Sequence, residues 1–458
     1  MANLNAVILA AGQGTRMKSA YPKVIHKILG QPMLKYVIDS AGKAGAASII
    51  VVVGFKGEQV IQCLNEDLHY VWQREQLGTG HAVLTAEPVL SGLDGDLLVL
   101  YGDTPLLEPD TIKALVAAKR SRGAVAAVLT TEVEDPSGYG RIVRDSRGNI
   151  AAIIEDKDAT PEQKAIKEVN TGVYCFEIKP LLKALKSLTP GNAQGEYYLT
   201  DVFKIFVGQG LPIAAFLTDE AEQVMGPNDR LQLAATENYL KHKINTALMK
   251  QGVTVADPDY TYIGPQVKIG RDTVILPGTF IFGNTVIGEN CVIGPHSRVQ
   301  DSIIEDNTEI SFSQVNGAHI GPDNSVGPFA NIRPGTVSER RVKIGDFVEL
   351  KNSKIGSGSK VPHLSYIGDA QLGENVNIGA GTITCNYDGV NKHRTTINNG
   401  AFIGSNANLV APVVIGEEAT VAAGSTITKN VPDKSLAVCR SRQQIIDDWP
   451  SLRKRPRK

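Results

Sequence analysis

The stretch Ile263–Val299, IGPQVKIGRDTVILPGTFIFGNTVIGENCVIGPHSRV, returns an aliphatic side chain at every sixth position: Ile263, Ile269, Ile275, Ile281, Ile287, Ile293 and Val299. A helix repeats its apolar positions every three to four residues and a half-buried strand every two, so a beat of six marks a repeat architecture. Gly often follows the aliphatic residue, as at Gly270, Gly288 and Gly294, and the beat returns at Ile320, Val326 and Ile332. It returns again at Ile355, Val361 and Ile367, and at Ile403, Leu409, Ile415, Val421 and Ile427. Such hexapeptides wind into a parallel β-helix in which each unit supplies one short strand and one turn. Three units, about 18 residues, close a triangular coil with the aliphatic residues stacked in columns.

The pattern resembles the left-handed β-helix of the hexapeptide acyltransferases, and the hand is taken from that resemblance because period alone does not give it. Chemistry is expected where the repeat is broken. Arg333 and Lys351 put charge on an otherwise plain coil, and His363-Leu364-Ser365-Tyr366 places a His and a Tyr where the repeat needs neither. After Asn377 and Gly379-Ala380-Gly381, the run Cys385-Asn386-Tyr387-Asp388-Gly389 opens a polar insertion that delays the next coil to Ile397 and Ile403. Insertions in a solenoid are where function concentrates.

At 458 residues the chain is too long for one ordinary core. With 42% hydrophobic and 21% charged residues and a net charge of −1, it has no global pull toward nucleic acid or membrane. The basic run Arg453-Lys454-Arg455-Pro456-Arg457-Lys458 reads as a frayed, solvated tail. Five cysteines, Cys63, Cys175, Cys291, Cys385 and Cys439, show no metal-like spacing and suit a reducing cytoplasm. Met1–Leu9 lacks the charged and apolar regions of a signal peptide, so the chain is expected to stay where it is made.

The front of the chain reads differently. An apolar strand, Ala6-Val7-Ile8-Leu9, runs into Ala10-Ala11-Gly12-Gln13-Gly14-Thr15-Arg16-Met17, a small-residue loop whose backbone N–H groups can approach a phosphate closely. It is neither a dinucleotide fingerprint, since the third Gly is missing, nor a Walker loop, since Met17 stands where Gly would precede Lys. Ile49–Gly54 and Leu97–Gly102 are continuous apolar runs, as in a parallel sheet buried on both faces, and Asp103 stands at a strand's carboxyl end, where ligands bind in open α/β sheets.

Together with Pro22-Lys23, the Leu9–Met17 loop is similar to the signature of the sugar-phosphate nucleotidyltransferases. That resemblance implies a Rossmann-like α/β domain with a nucleotide-sugar cleft. Leu9, Ala10, Ala11, Gly12 and Lys23 would meet the phosphates, with Arg16 balancing the pyrophosphate. Gln73, Gly78 and Thr79 would contact the uracil and its ribose, and Tyr101, Gly102 and Asp103 would line the same cleft. Gly140, Glu155 and Asn170 would face the sugar, and Asp103 with Asn228, in Gly226-Pro227-Asn228-Asp229, would hold Mg²⁺ through oxygen. His81 reads as a packing residue and Gln194–Asp201 as scaffold.

The two halves together resemble one narrower family, the bifunctional N-acetylglucosamine-1-phosphate uridyltransferase/glucosamine-1-phosphate acetyltransferases. This implies that His363 is the general base of acetyl transfer, that Arg333 and Lys351 hold the sugar phosphate, and that Tyr366 and Asn377 line the sugar site. Asn386 and Tyr387 would line the sugar site and also bind acetyl-CoA, and Ala380, Ser405, Ala423 and Arg440 would contact the acetyl-CoA as well. UTP, acetyl-CoA, glucosamine 1-phosphate and N-acetylglucosamine 1-phosphate are the implied small-molecule partners, in a homotrimer whose acetyltransferase sites form between neighbouring β-helices. The expected division is 1–229 for uridyl transfer, 230–250 for a linker helix and 251–458 for the β-helix. A single-activity nucleotidyltransferase whose β-helix binds regulators or builds the oligomer remains the other reading.

Overall fold

The computed structural model describes residues 3–450, and the basic run Arg453–Lys458 lies outside the described residues. The chain divides into two compact units, with the break between Leu240 and Lys241, inside the helix Arg230–Lys250. No helix among the described residues is long and apolar enough to cross a membrane. The five cysteines are free thiols.

In the N-terminal unit, the apolar runs become the centre of a nine-stranded sheet. From one edge its main path is Ile213–Leu217, Ala126–Glu132, Glu168–Glu177, Asp96–Tyr101, Leu4–Ala10, Ser48–Val53 and His69–Trp72. The pairings are parallel except on both sides of Glu168–Glu177, which runs antiparallel to its neighbours. Leu4–Ala10 is buried along its whole length, as expected of a strand covered on both faces. It ends at the Gly12–Gly14 loop, beside the carboxyl end of Asp96–Tyr101, so sheet order alone brings the phosphate loop next to Asp103.

The second unit is a left-handed parallel β-helix with three sheets of two- to four-residue strands, one per face. Ile263, Ile275, Ile281, Ile293 and Val299 are fully buried, and Ile269 is partly buried against the same core. Each such side chain contributes about 1.5–3 kcal/mol on burial, which makes the stacked columns the main source of stability.

The beat does not lapse between Val299 and Ile320, because Ile304, Ile310 and Val315 also point inward. The coil shortens there instead: Ile281 stacks on Val299 eighteen residues on, whereas Val299 stacks on Val315 after sixteen. Corners are made by residues in the left-handed region, many of them Asp or Asn, such as Asp272, Asn290, Asp301 and Asn307, whose short polar side chains tolerate it.

Buried hydroxyls satisfy the backbone at these turns. Ser353 Oγ donates to Ile367 O at 3.1 Å and accepts from Ala370 N at 3.1 Å. At the amino end of the solenoid, Asn245 on the helix Arg230–Lys250 is fully buried and donates to Pro258 O and Thr261 O at 3.0 and 3.1 Å.

Candidate functional sites

The N-terminal cleft, about 370 Å³, gathers Leu9, Ala10, Ala11, Gly12, Arg16, Lys23, Gln73, Gly78, Thr79, Tyr101, Asp103 and Asn228. At its centre Lys23 Nζ donates to Asp103 Oδ2 at 2.5 Å and to Asn228 Oδ1 at 2.9 Å. Arg16 Nη2 donates to the same Asn228 oxygen at 2.9 Å. Two glycines permit this convergence. Gly14 has φ 62°, and a Cβ there would lie 2.5 Å from Lys23 Cβ; at Gly226 a Cβ would lie 2.7 Å from the Asp103 carbonyl oxygen.

The donor set fits a small hard cation. Asp103 and Asn228 turn two oxygens toward one point, held here by the Lys23 ammonium, and the cleft leaves room for further oxygens from phosphate and water. Gln73, buried, donates through Nε2 to Gly78 O at 3.0 Å, with His81 Nδ1 at 3.1 Å beside it.

Four expected residues do not line this cleft. Gly102 is packed under it, its N–H donating to Leu9 O at 2.9 Å, with Leu34 close to where a Cβ would stand. Gly140, Glu155 and Asn170 gather at one point adjoining the cleft on the side of Tyr101, whose ring packs on Gly172 of the Asn170 strand. Asn170 N donates to Gly140 O at 2.8 Å, and the position of a Gly140 Cβ is 3.5 Å from Glu155 Oε2. Asn170 is itself engaged, with Nδ2 donating to Tyr174 Oη at 2.7 Å and Oδ1 accepting from Gly172 N at 3.1 Å.

Burial pushes the Glu155 carboxyl up, against the hydrogen bond it accepts from Thr200 Oγ1 at 2.9 Å. Burial also raises the Tyr101 hydroxyl, with the charges of Glu155 and Asp103 acting in the same sense, so Tyr101 lies in the field of both groups of residues.

On the β-helix, coil stacking sets Asp346 beside His363, and the carboxylate accepts a hydrogen bond from the ring Nδ1. That contact holds the exposed Asp346 carboxyl below its ordinary value. The next face pairs Glu349 with Tyr366 and Lys351 with Gly368. Arg333 Nη1 donates to Glu349 Oε1 at 2.8 Å, and Lys351 Nζ lies 3.9 Å from Asp369 Oδ2. Asn386 Nδ2 reaches the same Asp369 oxygen at 2.5 Å, which ties the insertion to the coil below, and the Tyr387 ring is exposed. Asn377 stacks between Lys360 and Phe402.

Residues far apart in sequence form one column. Asn406 N donates to Ala380 O at 2.7 Å, Gly424 N to Ser405 O at 2.8 Å, and Arg440 Nη1 to Ala423 O at 2.8 Å. Ala380, Ser405 and Ala423 therefore succeed one another at one corner, an open track of small side chains that ends at a guanidinium.

Among the residues that sequence alone does not assign to a site are Glu196, His81, Asp346 and Lys392. Glu196, in the segment read as scaffold, lines the N-terminal cleft, while its neighbour Tyr197 does scaffold work by accepting from Gly80 N at 2.8 Å. His81, read as packing, touches Gln73. Asp346 backs His363, and Lys392 reaches Lys351 from across the insertion. The contact with the Lys351 ammonium lowers the Lys392 pKa, and the Asp369 carboxylate near both acts in the opposite sense. The signal for Lys392 was its place in the insertion; Asp346 gave none in the sequence, because its pairing depends on coil length.

The MobA-like NTP transferase domain family matches residues 6–171, and the bacterial transferase hexapeptide (six repeats) family matches residues 394–429. Over nearly its full length the chain is similar to curated proteins named "Bifunctional protein GlmU". That of Pelotomaculum thermopropionicum is 54% identical over 456 residues, with 100% of both chains covered. That of Heliobacterium modesticaldum is 52% identical over 444 residues, with 97% of both chains covered. That of Brevibacillus brevis is 49% identical over 458 residues, covering 100% of this chain and 99% of the relative.

Proposed function

The chain belongs to the family of bifunctional GlmU proteins, and from that premise we propose that it makes UDP-N-acetylglucosamine in two transfers. The β-helix acetylates glucosamine 1-phosphate from acetyl-CoA. The N-terminal unit then joins N-acetylglucosamine 1-phosphate to UTP and releases pyrophosphate.

In the first transfer the sugar amine attacks the thioester carbonyl, the C–N bond forms, the C–S bond breaks and coenzyme A leaves as the thiol. His363 takes the amine proton through Nε2, since Asp346 occupies Nδ1 and fixes the ring. Arg333 and Lys351 meet the sugar phosphate, with Tyr366 and Asn377 along the sugar and Asn386 and Tyr387 at the acetyl-CoA side. The corner of Ala380, Ser405 and Ala423 gives the pantetheine arm a groove, and Arg440 offers charge to its phosphates. The chain acts as a homotrimer in which neighbouring β-helices complete this cleft, a reading the hexapeptide repeat supports.

In the second transfer a phosphate oxygen of N-acetylglucosamine 1-phosphate attacks the α-phosphorus of UTP, and pyrophosphate departs. Lys23 and Arg16, converging on one point, offset the negative charge that builds there. Mg²⁺, held by Asp103 and Asn228, would supply further charge neutralisation at the phosphates. Gly12 and its neighbours present backbone N–H groups to the phosphates, and Gln73, Gly78 and Thr79 take the uracil and ribose.

One observation carries this reading: a polypeptide whose Lys23 joins Asp103 to Asn228, 205 positions from the lysine, also carries His363 backed by Asp346 in its other unit. The test is to offer the purified chain two substrate pairs. Pyrophosphate from UTP and N-acetylglucosamine 1-phosphate, together with free thiol from acetyl-CoA and glucosamine 1-phosphate, supports it. Pyrophosphate without thiol would leave a single-activity nucleotidyltransferase with an assembling β-helix.

A further inference from the structure

Arg141 is among the largest fully buried side chains of the described residues, 1% exposed, and nothing in the two transfers uses it. It opens the short strand Arg141–Arg144, where it pairs with Ile154 on one side and Val169 on the other. Both pairings are antiparallel, so one step outward along the three strands leads to Gly140, Glu155 and Asn170. Gly140 and Glu155 stand just beyond their strands and Asn170 inside Glu168–Glu177, so the three share a single rung at the sheet's margin. The bond from Asn170 N to Gly140 O at 2.8 Å closes that rung, and the Glu155 carboxylate lies against Gly140.

The guanidinium lies beneath this rung. Nη1 donates to the Tyr139 carbonyl, Nη2 to Asp156 Oδ1 at 3.0 Å and Nε to the Lys164 carbonyl at 3.4 Å. Tyr139 precedes Gly140 and Asp156 follows Glu155, so one planar cation ties together the flanks of two of the three residues and anchors them to the short helix Pro161–Lys164. A guanidinium spreads its five donors in a rigid fork and reaches three acceptors in three directions; an ammonium on a flexible stem does not hold that arrangement.

We propose that Arg141 is the positioning residue of the sugar end of the uridyltransferase site. It sets the separation of Gly140, Glu155 and Asn170, and through it the fit of the N-acetylglucosamine 1-phosphate ring. The proposal rests on the uridyltransferase reading given above. It differs from a purely structural role, because the UTP end of the cleft is built by the Gly12 loop, Gln73 and Gly78, none of which Arg141 touches.

The test compares wild type, Arg141→Lys and Asp156→Asn by steady-state kinetics of pyrophosphate release, with acetyl transfer and thermal midpoint measured on the same preparations. Asp156 is partly exposed, so its amide variant loses the charged contact without burying a new group. The expected result for Arg141→Lys is a KM for N-acetylglucosamine 1-phosphate raised about tenfold, with the KM for UTP within about twofold and acetyl transfer unchanged. Asp156→Asn should raise the same KM by about threefold, and it decides the matter if the lysine variant does not fold. An unchanged sugar KM in a folded variant, or equal rises in the KM for both substrates, overturns the proposal. Wild type that releases no pyrophosphate from this substrate pair overturns the uridyltransferase reading itself, a result distinct from either of those.

Discussion

Lys23 Nζ lies 2.5 Å from Asp103 Oδ2 and 2.9 Å from Asn228 Oδ1, so a lysine near the start of the chain is the link between two oxygens from distant loops. Replacing it with Met keeps most of the length of the side chain and removes the charge. Uridyl transfer should fall by about 10²-fold or more, the usual scale for losing one preorganised charge at a reacting phosphate. Acetyl transfer should be unaffected, and assaying both reactions on one preparation of Lys23→Met checks it.

Asp346→Asn should lower the rate of acetyl transfer by about 10- to 100-fold, as expected when the partner that orients a working imidazole is lost. Uridyl transfer should not change. The sign of the pH effect follows from the lowered Asp346 pKa: the contact is intact above the ordinary carboxylate value of 3.8 and is lost only as pH falls through the still lower folded value. Between pH 6 and 9 the Asp346 carboxylate therefore stays ionised and in place, and a pH–rate series of both proteins across this window measures the loss.

Glu155 has its carboxyl pushed up by burial. A raised carboxyl favours the folded state at low pH, and this contribution is lost as pH rises through the folded value, where the buried charge becomes a burden. Glu155→Gln should thus raise the thermal midpoint at pH 8 and give no such gain at pH 4. The same variant should raise the KM for N-acetylglucosamine 1-phosphate, exchanging function for stability. Thermal melts at the two pH values and one KM series test both halves.

Asn245→Ala should destabilise the β-helix unit by about 1–3 kcal/mol, because it strands the Pro258 and Thr261 carbonyls at the start of the first coil. Thermal unfolding, followed with acetyl transfer activity, reads this directly.

The β-helix was legible because a six-residue beat survives in the aliphatic residues whatever fills the corners. Its continuity through Ile304, Ile310 and Val315 was not, since the coil shortens there and the beat slips out of register. Contiguous motifs such as Leu9–Met17 and Gly226–Asp229 could be read because neighbours in sequence remain neighbours at the cleft. Asp346 and His363, 17 residues apart, meet only when the length of one coil is known. His81 and Glu196 were passed over for the same reason: a lone His or Glu declares no partner until Gln73 or the cleft wall is seen beside it. That the helix Arg230–Lys250 buries two polar residues, Lys241 and Asn245, was not legible, since in sequence neither departs from an ordinary solvated helix position.

The claim that two reaction centres work independently on one polypeptide is tested most directly by assaying both transfers in His363→Ala and in Asp103→Ala. The first variant should lose acetyl transfer and retain uridyl transfer at the wild-type rate, and the second should do the reverse. Comparable loss of both activities in either folded variant would contradict the account.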